Sequence, residues 1–182
     1  MPSVALFNVT KDPAAQELEQ IFRDHSRLVY RTAYSVTGSS QDAEDIVQNL
    51  FLQLVHRGLP PGLQENPKAY LYRSAVNLGL NVVKSRQRQI VAVDADCPEP
   101  AVLETDSEEV HSDIQQRLVD AMAQLNPRAV EMLILRYEHD YSDVEIGKLL
   151  GKSRGMVAVT MYRARARLKK LLGASSSSGD KP

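Results

Sequence analysis

Three carboxylates stand close together at Asp42, Glu44 and Asp45. Clustered carboxylates can hold a divalent cation or act as general acid and base, in which case Asp45→Ala would abolish a metal-dependent activity. These three, however, follow the capping residues Ser39 and Ser40, and acids in the first turn of a helix are favoured by its dipole. The histidines at positions 25, 56, 111 and 139 have no metal-ligand spacing, and no Ser/His/Asp or HExxH arrangement occurs. We therefore predict no catalytic site, no metal site and no cofactor, and a chain that is not an enzyme.

A second group of residues combines aromatic rings, amides and positive charges at helical spacing. Unpaired bases stack on aromatic rings and an Asn amide can bond a base edge, so such a group could bind single-stranded nucleic acid. Composition alone favours the alternative, in which the two tyrosines are half-buried packing residues. The group consists of Tyr70, Tyr72, Arg73, Asn77, Asn81, Lys84 and Arg88.

A third group is cationic, because residues 151–172 contain seven Lys or Arg and no acid. Ser142 and Glu145 form a capping box before it, Gly151 ends the short helix that the box begins, and Ser153 caps a longer one. A short helix, a tight turn and a longer helix make a helix-turn-helix. The alternative is an ordinary helical hairpin with a solvated basic face, against which the complete absence of acids argues.

The second helix of such a unit enters the major groove of DNA N-terminus first. Its early positions would then face base edges: Arg154, Gly155, Ala158 and Thr160. The later positively charged positions suit phosphates, which supply most of the affinity: Arg163, Arg167 and Lys170.

Helices must position all three groups. Leu, Val and Ala dominate and Trp is absent, a composition that favours helices packed on helices. Three helices are predicted in the first half and four in the second, with a loop at residues 56–65, where two Gly and two Pro occur. Eight acids and no Lys or Arg lie between Asp94 and Asp113, which is typical of a solvated linker.

We therefore predict an all-α protein of two small helical domains joined by a flexible acidic linker, the second domain containing the helix-turn-helix. The predicted parts are an N-terminal extension at 1–13, a first domain at 14–90, the linker at 91–111, a second domain at 112–172 and a disordered tail at 173–182. The single Cys97 excludes an internal disulfide. The sequence begins without a secretory signal and has no apolar run of membrane-spanning length, so we expect no membrane insertion and a cytoplasmic location.

Several motifs, in order, resemble bacterial sigma factors of the extracytoplasmic function (ECF) group. Residues 42–48 (DAEDIVQ), followed by Phe51, resemble the polymerase-binding motif of the group. Residues 69–78 (AYLYRSAVNL) resemble its next motif, a helix that takes part in recognition of the −10 element. Residues 125–151 and 162–168 resemble its C-terminal domain, so that the likeness extends from about Leu18 to Leu172.

The resemblance implies a sigma factor that binds core RNA polymerase and directs promoter-specific transcription initiation. The polymerase-binding helix would dock on the clamp helices of the β′ subunit, and the factor would also contact the β subunit. The residues implied for this are Asp42, Glu44, Asp45, Val47, Gln48 and Phe51. The second group above would capture the melted −10 strand, with Asn77 making a base contact.

The helix-turn-helix would bind the −35 element as duplex through Ser153, Arg154, Gly155, Ala158, Thr160, Tyr162, Arg163, Arg167 and Lys170. The acidic linker would run through the polymerase towards the RNA exit path. An anti-sigma factor is an expected partner. The alternative function is a stand-alone helix-turn-helix regulator that acts without replacing the sigma subunit, and it predicts specific duplex binding without polymerase.

The recognition helix departs from the family pattern. Family members usually place Thr after its Gly, a basic residue two positions later and Arg two further on, where this chain has Met156, Ala158 and Thr160. Ala158 and Thr160 could instead contact thymine methyl groups. Arg154 would then be the main long donor left near the groove.

Overall fold

A computed structural model describes residues 13–93 and 107–176 of the chain, with side chains described over 13–89 and 113–173. The described residues form helices and no strand, which confirms the predicted all-α class, but there are eight helices where the sequence predicted seven. These are α1 (Pro13–Thr37), α2 (Ser40–Arg57), α3 (Pro61–Glu65), α4 (Pro67–Val93), α5 (Ser107–Ala123), α6 (Pro127–Tyr137), α7 (Asp143–Leu150) and α8 (Arg154–Ser176).

Local capping explains where most of these helices begin and end. Ser39 accepts a hydrogen bond from the Asp42 amide at the start of α2, and Asn66 does the same for Ala69 at the start of α4. The α2 helix ends at Gly58, whose φ of 80° suits a residue without a side chain. Such caps satisfy backbone groups that have no partner inside the helix.

Helices occupy parts of three segments that were predicted to be loop, linker or tail. The predicted loop at 56–65 contains the short helix α3, because Pro at the first position of a helix costs no hydrogen bond. The helices α4 and α5 extend to Val93 and from Ser107, into both ends of the predicted linker. The α8 helix continues to Ser176, into the predicted tail. The centre of the linker, the rest of the tail and residues 1–12 lie outside the described residues.

The first half of the chain packs α1, α2 and α4 around a small core. Its buried side chains include Val29, Leu50, Leu54 and Leu71. The α1 and α4 helices approach closely at Gly79, where an added Cβ would lie 2.8 Å from Cγ1 of Val36. Glycine at this crossing therefore sets the distance between the two helices.

The two halves of the chain are packed together in this arrangement. One buried cluster joins Val76 and Leu80 of α4 to Leu133 of α6 and Ile146 of α7. The contact also includes an ion pair at 2.9 Å between Arg31 of α1 and Glu138, which follows α6. The sequence predicted two domains but not this packing between them.

Candidate polymerase-binding and DNA-binding surfaces

The outward face of α2 presents the predicted acid cluster. Glu44, Asp45 and Gln48 are exposed, while Val47 is half-buried. Asp42 is partly buried and pairs with Arg86 of α4, which neutralises part of its charge. No group of three or more metal-ligating side chains occurs within the described residues. The exposed carboxylates of Glu44 and Asp45 suit this face to binding a partner through its charge.

Phe51 is a core residue in this structure and not part of the exposed face. It is buried, and its ring packs edge-to-face on Phe22 with centroids 4.8 Å apart. The next residue, Leu52, is exposed, as is Val55 one turn later. Leu52 lies four positions after Gln48 and extends the same face with apolar surface. Helical phase would have identified Leu52 from the sequence.

The α4 helix carries the predicted −10 residues, and most of them are accessible. Arg73, Asn77, Asn81 and Arg88 are exposed, and Tyr70 and Lys84 are half-buried. Asn77 and Asn81 lie on one face because they are four residues apart. This surface of α4, named the −10 face after its predicted ligand, offers two amides and several positive charges.

Tyr72 does not belong to that face. Its side chain is fully buried, and its hydroxyl donates a hydrogen bond of 2.6 Å to the backbone carbonyl of Glu131 in α6. Burial raises the pKa of Tyr72 well above its ordinary value, and the nearby Glu131 carboxylate raises it further. Tyr72 therefore cannot stack on a base in this arrangement, because the C-terminal half covers it.

Arg73 and Glu131 form the polar part of the contact between the halves. Arg73 donates a hydrogen bond of 2.8 Å to the carbonyl of Leu150, and its guanidinium lies 4.0 Å from the Glu131 carboxylate. Burial raises the pKa of Glu131, although the positive charges of Arg73 and its neighbours oppose the shift. Nearby, Thr32 and His139 are within hydrogen-bond distance at 3.2 Å, and burial lowers the pKa of that histidine.

The −10 face and the helix-turn-helix border one cavity. The cavity has a volume of about 540 Å³ and is lined by Arg73 and Asn77 on one side and by Lys148, Leu150 and Gly151 on the other. The two predicted DNA-binding elements therefore lie on opposite sides of this cavity.

The helix-turn-helix has the local geometry that the sequence predicted. The Ser142 hydroxyl accepts from the amide of Glu145, whose carboxylate bonds back to Ser142, and these bonds lower the pKa of the carboxyl group. Gly151 ends α7 with a φ of 66°, and the amide of Lys152 bonds the Gly147 carbonyl at 2.8 Å. The turn between α7 and α8 is consequently short and tight.

The α8 helix buries Val157, Met161 and Ala164 against the other helices. Nearly all of the predicted −35 residues lie on its exposed surface; only Thr160 is half-buried, and the Ser153 hydroxyl accepts the amide of Met156 as a cap. The exposed predicted residues are Arg154, Gly155, Ala158, Tyr162, Arg163, Arg167 and Lys170. Met156 and Val159 are also exposed, and the sequence interpretation had not included them.

Two protein families match the chain in separate segments. Residues 21–89 match sigma-70 region 2, and residues 115–168 match sigma-70 region 4. Across 179 residues the chain is 30% identical to the ECF RNA polymerase sigma factor SigE of Mycolicibacterium smegmatis, covering 95% of this chain and 68% of that protein. The chain belongs to the ECF sigma factors.

Other comparisons agree with this family. The chain is 30% identical over 156 residues to the RNA polymerase sigma-E factor of Streptomyces antibioticus, covering 86% of this chain and 84% of that protein. The fold resembles that of the sigma factor RpoE from Bartonella quintana, solved in complex with the anti-sigma factor NepR, with a TM-score of 0.50 at 21% identity over 87% of this chain and 98% of that one. It also resembles CnrH, solved with the cytosolic domain of CnrY, with a TM-score of 0.50 at 20% identity over 87% and 89% of the two chains.

The matches assign the two halves of this ECF sigma factor. Region 2 falls on α1 to α4, which carry the acid cluster and the −10 face, and region 4 falls on α5 to α8, which contain the helix-turn-helix. None of the helices, over the residues described, is long and apolar enough to cross a membrane.

Proposed function

We propose that this sigma factor binds core RNA polymerase through the exposed face of α2 and directs it to promoters with a −10 and a −35 element. The observation that carries the proposal is the presence of regions 2 and 4 in one chain, each with an exposed, chemically distinct surface. A stand-alone helix-turn-helix regulator is not favoured, because region 2 has no role in it. We infer that the factor has no catalytic activity of its own and acts in the cytoplasm, where polymerase and promoters are found.

On the polymerase side, the contact would combine charge with apolar surface. Glu44, Asp45 and Gln48 supply polar groups, and the exposed Leu52 continues the face. Interface cores are enriched in apolar side chains and rims are polar, which fits this composition. The face would meet the clamp helices of the β′ subunit.

On the DNA side, regions 2 and 4 would bind different promoter elements. The exposed amides of Asn77 and Asn81 are suited to the edges of unpaired bases in a melted −10 strand. The α8 helix, with Arg163 and Arg167 exposed, is suited to a duplex −35 element. Arg73 would exchange its bond to the Leu150 carbonyl for a phosphate when the halves separate.

An anti-sigma factor would be a second partner. The sigma factor RpoE, which has a similar fold, was solved in complex with the anti-sigma factor NepR. An apolar groove of about 550 Å³ supports this proposal, because it lies between the halves and is lined by Tyr34 of region 2 and Leu118, Met122 and Tyr137 of region 4. A partner filling it would contact both regions at once.

Run-off transcription with core polymerase from the bacterium that encodes the chain tests the function. The wild type should form a holoenzyme and direct specific start sites, whereas the free protein should bind promoter duplex weakly. Asp45→Lys should weaken core binding, and Glu17→Lys, the same charge change on an exposed part of α1, should not. A protein that neither co-purifies with core nor directs any start site would contradict the proposal.

Asn77→Ala tests whether region 2 contacts the melted −10 strand separately from the −35 contacts of region 4. This variant should open the −10 element poorly on duplex promoters while keeping its contacts with the −35 duplex. Fluorescence of a 2-aminopurine base in the −10 element measures opening, and footprinting measures −35 contact. Equal loss of both signals would refute the assignment of Asn77 to the melted strand.

A further inference from the structure

Large apolar side chains stand in solvent on the outward face of the recognition helix α8. Met156, Val159 and Tyr162 are 53%, 50% and 73% exposed, respectively. They follow one another at intervals of three residues, so they lie side by side along the helix. The opposite face is buried through Val157 and Met161. The exposed row is therefore a separate apolar surface and not the edge of the core.

Positive charge flanks this row. A groove of about 500 Å³ beside Met156 is lined by four cationic side chains and no acid: Arg128, Lys152, Arg163 and Arg167. Met156 and Thr160 both line this groove, so they lie where the cationic groove meets the outward face, and Val159 and Tyr162 lie outside the groove. Phosphates of a DNA strand fit such a groove, and a strand held there would bring the apolar row against the bases.

Few hydrogen-bonding side chains are available where the helix would meet the bases. Between Arg154 and Tyr162, the only long cationic side chain is that of Arg154. Arg or Lys bonds guanine and Asn or Gln bonds adenine in the major groove, and thymine presents a C5-methyl group that accepts apolar contact. An apolar row inside a cationic frame is thus matched to thymine methyl groups.

We propose that Met156, Val159 and Tyr162 select the −35 element by packing against thymine C5-methyl groups in the major groove. The inference rests on the proposed function, because it requires α8 to enter the groove of a −35 duplex. It adds Met156 and Val159 to the residues expected to contact thymine methyl groups, which were Ala158 and Thr160. The phosphate groove supplies affinity, and the apolar row supplies the preference for A·T pairs.

The test uses holoenzyme and promoters with a randomised −35 duplex upstream of a pre-melted −10 region. The tightest-binding duplex is resynthesised with deoxyuridine in place of each −35 thymine, which removes only the methyl group. Each contacted methyl should contribute about fourfold in affinity, the factor expected for burying one methyl-sized apolar group. Val159→Ala and Met156→Ala should reduce the ratio of thymine to deoxyuridine affinity towards one.

Arg167→Ala serves as the matched control, because it should weaken binding to thymine and deoxyuridine duplexes by the same factor. Selected −35 elements made of G·C pairs, or a wild-type affinity indifferent to deoxyuridine, would overturn the apolar selection while leaving the sigma function intact. An unchanged ratio in Val159→Ala and Met156→Ala would do the same. Absence of holoenzyme and of every start site would overturn both proposals.

Discussion

The turn of the helix-turn-helix should tolerate no side chain at Gly147. An added Cβ would lie 2.6 Å from the carbonyl oxygen of Lys152, a backbone atom of the turn itself. Real Cβ atoms essentially never approach closer than 3.0 Å, so the turn would have to move by at least the difference of 0.4 Å. The same turn is closed by the hydrogen bond of 2.8 Å from the Lys152 amide to the Gly147 carbonyl, which the movement would strain.

Two effects of opposite sign determine how much Gly147→Ala changes the free energy of unfolding. Alanine stabilises a helix by up to about 1 kcal/mol relative to glycine. Overpacking against surroundings that cannot yield costs about 1–3 kcal/mol, and a backbone contact belongs near the upper end. The free energy of unfolding should therefore fall by about 2 kcal/mol, which is roughly a 30-fold change in the unfolding equilibrium.

Chemical denaturation followed by far-UV circular dichroism measures this change. Gly155→Ala is the matched control in α8, because nothing lies within 4 Å of an added Cβ there. The control should leave the free energy of unfolding unchanged or raise it by up to about 1 kcal/mol. A Gly147→Ala variant as stable as the wild type would refute the close approach of α7 to the turn.

Three further changes test the packing of the helices and of the two halves. Gly79→Ala should destabilise region 2, since the new Cβ would lie 2.8 Å from Cγ1 of Val36, and thermal unfolding should show a lower Tm. Burial lowers the pKa of His139 from 6.5, so as pH falls the imidazole binds a proton in the unfolded chain before it does so in the folded one. The free energy of unfolding should therefore decrease as pH falls below about 6.5. His139→Phe should remove this part of the pH dependence. Burial raises the pKa of Glu131 from 4.5, so the folded chain holds this proton more tightly than the unfolded chain does. The resulting contribution to the free energy of unfolding is present at low pH and lost as pH rises. Glu131→Gln should therefore be more stable than the wild type at neutral pH and lose that advantage towards pH 4.5, and an advantage that is constant across pH would contradict the shift.

The helices were predictable because their signals are local. The capping box of Ser142 and Glu145 and the left-handed Gly151 are encoded within ten residues, and both occur as predicted. The short helix α3 was missed because proline and glycine also mark loops. Local chemistry could not decide between these outcomes for a segment of five residues.

The exposed face of α8 shows what helical phase could have added to the prediction of the −35 residues. The buried positions of α8 follow helical spacing, as Val157, Met161 and Ala164 show. The outward face opposite them centres on Val159, whereas the sequence analysis assigned the base contacts to Arg154, Gly155, Ala158 and Thr160. Helical geometry alone would have identified Val159.

The inward position of Tyr72 has a local signal, because Tyr72 lies on an apolar stripe with Val76 and Leu80, four and eight positions later. The partner of its hydroxyl has no such signal, because Glu131 lies 59 residues away in the other region. Contacts at such a distance depend on how two separately folded cores meet. The sequence encodes the two cores locally but contains no short-range signal for their orientation.

The contact between the regions uses groups that promoter capture would also use. Its polar part includes the hydrogen bond from Arg73 to the Leu150 carbonyl, and the exposed guanidinium could exchange this bond for one to a phosphate. Its apolar part opposes separation, because Val76 and Leu80 share a buried cluster with Leu133. A partner can shift this balance only by its difference in affinity for the packed and the separated arrangement. Core polymerase, by binding the exposed face of α2 and holding the two regions apart, would supply that difference, and this is the physical reason to expect promoter binding by the holoenzyme and not by the free factor.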